Sequence, residues 1–86
     1  MTVWERDLSV TELHREPASR VLYAILRATR SADQRTVERR EHPGHVVVAW
    51  TSLDSRGMAV NLRAELEPLT QDPCCTSMTL TGRYAD

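Results

Sequence analysis

The chain has 86 residues, 41 % of them apolar and 27 % charged, with a net charge of −1. Those values describe one small globular domain and exclude a disordered segment or a general electrostatic pull toward nucleic acid or anionic membrane. A domain of this length buries only roughly 60–65 % of its unfolded surface, so self-association is expected as a way to bury more.

The first ten residues place Glu5, Arg6 and Asp7 where a secretory leader needs an apolar run. The longest apolar stretch, 21–26, is far short of the roughly 20 residues that span a bilayer. A cytoplasmic protein with no membrane association is expected. Residues 2–14 fit two patterns. Ser9-Val10-Thr11-Glu12 suits a capping box, whereas Trp4, Leu8 and Val10 share the parity of a strand. The strand is preferred, because Pro17 forces a boundary and suits the first turn of a new helix.

A helix is predicted from Pro17 to Thr29 or Arg30. Ala18, Val21, Leu22, Ile25 and Thr29 fall on one stripe, while Arg20 and Arg27 point away. Ser31-Ala32-Asp33-Gln34 reads as its exit loop. Four strands are then predicted at 36–41, 45–51, 58–66 and 76–84. Pro43-Gly44, residues 54–57 and residues 68–73 separate them. The first of these carries little but charge around Val37, which suits a sheet edge. The second is apolar on both parities, as a central strand is. The last two alternate, with Met58, Val60, Leu62, Ala64, Leu66, Met78, Leu80 and Tyr84 on the inner side. The fold class is α+β: an antiparallel sheet of four to five strands, with one main helix packed on one face, in a single domain spanning 1–86.

Charge is uneven along this plan. Residues 1–14 sum to −2, residues 15–40 to +4 and residues 41–86 to −3. All eleven basic residues are Arg, with no Lys, a bias read first as the codon usage of a GC-rich bacterial genome. Interleaved acids in the basic stretch describe a solvated helix and sheet edge, and nucleic acid is not the expected partner. The first alternative is a nucleic-acid or anionic-partner binder using Arg27, Arg30, Arg35, Arg39 and Arg40 in the segment 27–40.

No catalytic or metal signature of high specificity occurs. His42 and His45 flank a tight turn, Cys74 and Cys75 are adjacent, and His14 stands alone, which is not the spacing of a zinc site. Adjacent Cα atoms lie about 3.8 Å apart, shorter than a relaxed disulfide wants, so free thiols are expected. There is no nucleophile elbow and no Gly-rich phosphate loop. Glu65 and Glu67 read as solvated charges on an open sheet face. No catalytic residue, metal or cofactor is assigned. A metal- or thiol-dependent enzyme using His42, His45, Cys74 and Cys75 stands as the second alternative.

Two stretches, ELHREPASRVLYAIL at 12–26 and GMAVNLRAELEPL at 57–69 followed by residues 76–84, resemble the START-like helix-grip superfamily of small-molecule-binding domains in shortened form. The resemblance covers about half the chain. It implies an apolar ligand in the cleft between helix and sheet. The family's long C-terminal helix has no counterpart here and the strands are few. The implied pocket is therefore open, shallow or completed by a second copy. The leading expectation is a non-enzymatic homodimeric domain that binds an apolar small molecule or a protein partner through Trp50, Met58, Leu62, Met78 and Tyr84.

Overall fold

A computed structural model describes residues 8–85. In chain order the elements are β1 (Leu8–His14), α1 (Ala18–Ala28), β2 (Asp33–Arg39), β3 (Val46–Leu53), β4 (Ala59–Pro68) and β5 (Thr76–Tyr84). All five strands form one antiparallel sheet in the order β1-β5-β4-β3-β2. The α+β reading holds. Residues 8–14 are strand rather than capped helix; Trp4, which the parity argument also used, lies outside the described residues.

Pro17 sits at the N-cap of α1 with φ −65° and ψ 154°, the extended geometry that proline favours just before the first helical turn. The predicted stripe is the buried one. Val21 and Leu22 meet Val46, Val48 and Leu66 in the core, with Ile25, Leu26, Trp50 and Met78 packed around it. Two polar groups pin α1 at its ends. The Thr76 hydroxyl donates to the Glu16 carbonyl at 2.8 Å just before the helix. At the far end the Arg35 guanidinium donates to the Leu26 carbonyl at 2.9 Å, satisfying an acceptor that the last turn leaves open.

Four predicted boundaries need correction. β3 runs two residues past its predicted end at 51, because Ser52 and Leu53 still pair with Val60 and Ala59 of β4. β2 starts at Asp33, inside the expected exit loop. Gln34 adopts φ 53° and the register shifts between Asp33 and Thr36, so a bulge draws these residues into the ladder. β2 also ends at Arg39, two residues before the predicted end. β4 runs on through Pro68, which was read as a breaker. Proline is tolerated there because the ladder with β3 ends at the pair Val46–Leu66, so no neighbour waits for the missing N–H. The helix-bearing face is apolar as expected. The other face is mainly polar, yet Val47 is buried on it, set in register between Glu38 and Glu65.

The turn before β3 depends on Gly44. Its φ is +81°, and an added Cβ would lie 2.6 Å from Cγ of Pro68 and 3.4 Å from Cβ of Ala18. Pro68 is fixed by its ring and its strand, so it has little freedom to move aside. We expect Gly44→Ala to lower stability by about 2–4 kcal/mol, combining left-handed backbone strain with overpacking. Urea denaturation measures this; an unchanged midpoint contradicts it.

Candidate functional site

Size sets the shape of the helix-bearing face. Eleven helical residues rise about 16 Å, whereas the ten residues of β4 extend about 34 Å. The helix is anchored where Ala18 meets Gly44, at the end of the sheet formed by the start of β3 and the end of β4. It therefore buries Val46, Val48, Ala64 and Leu66 and leaves the other end of the face half-covered. There, register sets Val10 beside Leu80, Leu62 between Trp50 and Gly82, and Val60 beside Tyr84. Trp50, Val60, Leu62, Leu80 and Tyr84 are half-buried, while Val10 is 54 % exposed. These apolar side chains form one contiguous row on the helix-bearing face.

Of the five residues expected to line a cleft, Trp50, Leu62 and Tyr84 come together in this patch. Met78 lies nearer the covered core, and Met58 precedes β4 and is 49 % exposed. Leu80, on the inner parity predicted for β5, and Val10, set beside it by the β1–β5 register, complete the patch. Gly82 keeps the floor low, since Cδ2 of Leu62 lies 3.0 Å from where a Cβ would stand. A separate groove of about 410 Å³ runs along the other flank of α1, lined by Leu22, Tyr23, Leu26, Arg39 and Val46 among others. None of the five expected residues lines it.

One end of the patch is fixed by a polar cluster that the sequence reading did not single out. Asp54 accepts hydrogen bonds from the backbone N–H groups of Met58 at 2.9 Å and Arg56 at 2.8 Å. The Tyr84 hydroxyl donates to its carboxylate at 3.0 Å and the Arg56 guanidinium at 3.2 Å. The tight hairpin Asp54-Ser55-Arg56-Gly57 therefore holds the Tyr84 ring from the far side of β4.

On the opposite face, Nε2 of His45 lies 2.7 Å from Oε2 of Glu65, and Nη2 of Arg63 lies 3.6 Å from Oε1 of Glu65. Glu65 is thus not the freely solvated charge expected; the His45 hydrogen bond, helped by Arg63, holds its carboxyl below the usual range. The thiols are free as expected. The Cys75 thiol donates to the Asp72 carboxylate at 3.4 Å, which pushes its pKa up and away from thiolate reactivity. Among the described residues no three His, Cys, Asp or Glu side chains converge as a metal ion requires. Within the Arg-rich segment, Arg35 holds the end of α1, Arg40 pairs with Glu38 at 3.0 Å, and Arg27 lies over the Tyr23 ring at 5.9 Å. Arg39 lines the groove beside α1, and Arg30 lies just beyond the helix. Among the described residues no helix is long and apolar enough to cross a membrane.

No protein-family model matches the chain, and no curated protein or solved structure matches it.

The hydrogen bonds to Asp54, that from the Met58 N–H foremost, hold its pKa at about 2, below the ordinary 3.8. A carboxyl whose folded pKa lies below its unfolded value contributes stability in full above the unfolded pKa, and loses it as pH falls through the folded one. Stability of the wild type should therefore fall more steeply between about pH 4 and pH 2 than that of Asp54→Asn, which lacks the titrating group. Urea midpoints across that window measure the difference; parallel curves contradict it.

Proposed function

We propose that this chain is a non-enzymatic binding domain that takes an apolar small molecule on the open half of its helix-bearing face and acts as a homodimer, as the helix-grip resemblance implies. One observation carries the reading: the row of half-buried Trp50, Leu62, Leu80 and Tyr84 beside a helix too short to cover them. The apolar floor supplies affinity by leaving water. The Trp50 ring supplies a broad flat wall. Asp54 keeps the Tyr84 hydroxyl occupied, so the ring offers its carbon surface. A ligand lying on so shallow a floor keeps one side wet. A second copy closing over it removes that water and completes the pocket.

The carboxylates and thiols fit this reading better than catalysis. Asp54 and Glu65 are each held ionised by hydrogen bonds, and Cys75 is held protonated; none is poised near neutrality to move a proton.

Titration with anilinonaphthalene sulfonate, an apolar fluorescent probe, tests the site. Saturable binding is expected for the wild type. Trp50→Ala and Leu80→Ser, checked for folding by circular dichroism, should bind roughly ten- to a hundredfold more weakly, as the loss of one apolar contact dictates. Leu53→Ser, on the polar face and 69 % exposed in the wild type, should bind unchanged. Folded patch variants that bind like the wild type contradict the proposal.

A further inference from the structure

The two edges of the sheet are built differently. β2 is interrupted by the register shift between Asp33 and Thr36 and by Gln34 at φ 53°. It also carries Arg35, Glu38 and Arg39. Such bulges and charges discourage another strand from pairing. β1 has none of these guards. Its seven residues pair with β5 in unbroken register, and Glu12 is its one carboxylate. Val10 is 54 % and Leu13 61 % exposed, on opposite faces of the sheet. A regular, nearly uncharged edge with apolar side chains on both faces is a template for a further strand.

The backbone phase shows which groups this edge offers. The Ala85 N–H donates to the Ala59 carbonyl at 3.0 Å and the Leu69 N–H to the Cys75 carbonyl at 3.1 Å, both continuing the β4–β5 register. Hydrogen-bonded and open pairs alternate along an antiparallel ladder. Odd-numbered residues of β5 therefore bond to β4 and even-numbered ones to β1. Their partners on β1 are even-numbered. Ser9, Thr11 and Leu13 are left with N–H and C=O groups directed out of the sheet.

We infer that β1 pairs antiparallel with β1 of a second copy, about a two-fold axis at Thr11, to make one continuous sheet. This rests on the proposed function for the dimer it places. In this register Thr11 faces Thr11 of the second copy, and Ser9 and Leu13 face each other twice. All three outward residues are satisfied. Val10 stands across from Glu12 of the second copy, so no like charges are opposed. A two-fold one residue further along sets Glu12 against Glu12, which disfavours it. The partner is a second copy rather than an unrelated strand because the edge is complementary to itself. The consequence reaches the site. Val10 lies on the helix-bearing face beside Leu80, so pairing at β1 sets the two open apolar patches on either side of a seam where Val10 and Glu12 of the two copies alternate.

Charge reversal at the two-fold tests this. Thr11 is exposed and its side chain touches the Thr79 hydroxyl at 3.3 Å across the sheet surface, so Thr11→Lys and Thr11→Glu should fold. Folding is checked by circular dichroism. Light scattering after size exclusion should give a dimer for the wild type and a monomer for each variant at the same concentration. An equimolar mixture of the two variants should return to a dimer, because Lys then faces Glu. A monomeric wild type, variants that stay dimeric, or a mixture that stays monomeric overturns the inference. Anilinonaphthalene sulfonate binding is read on the same samples. Variants that stay dimeric while the wild type binds the probe contradict only the β1 pairing. Reassembly as described, with a wild type that takes up no probe, contradicts only the proposed ligand site.

Discussion

The mismatch in length between α1 and the sheet governs everything else in this molecule. A helix of about 16 Å cannot shield the full length of β4, about 34 Å, wherever it lies. The helix is also not free to slide. Gly44 admits Ala18 at close range, Thr76 holds the chain before α1, and Arg35 holds its last turn. The core under the helix therefore gathers Ala18, Val21, Leu22, Val46, Val48, Ala64 and Leu66, and Leu62, Leu80 and Tyr84 beyond it are only half-buried. A fully covered sheet of this composition would be a structural domain with nothing to offer. A half-covered one has a surface whose burial is still to be completed.

The polar parts of the structure work to preserve that geometry. Asp54 collects two backbone N–H groups and the Tyr84 hydroxyl, so the far end of the patch is held by the β3–β4 turn. On the reverse face the His45–Glu65 contact and the Arg40–Glu38 pair stand on either side of the buried Val47. Hydrogen bonds hold Asp54 and Glu65 toward the ionised form and Cys75 toward the protonated one.

Much of the fold was legible because it rests on periodicity. β5 was read at its observed bounds, and the stripe of α1 was read residue by residue, since both alternate cleanly between apolar and polar. The errors arose where one residue's local preference yields to its neighbours. Gln34 enters a strand through a left-handed bulge, and Pro68 sits inside β4 because the neighbouring strand has already turned away. The site was partly legible. Trp50, Leu62 and Tyr84 follow from parity alone. Leu80 shares that parity, whereas Val10 needs the β1–β5 register to stand beside it, and Asp54 needs the hairpin closed so that β5 returns its Tyr84 to the turn. The contact between Glu65 and His45 joins side chains on neighbouring strands and has no trace in sequence spacing.

We propose that an apolar ligand and a second copy together complete the open half of the helix-bearing face, and both leave a mass. Native mass spectrometry of the purified protein reads subunit number and any retained small molecule in one spectrum. A dimer that carries, or on addition takes up, an apolar small molecule is expected. A monomer that stays bare through such additions refutes the proposal.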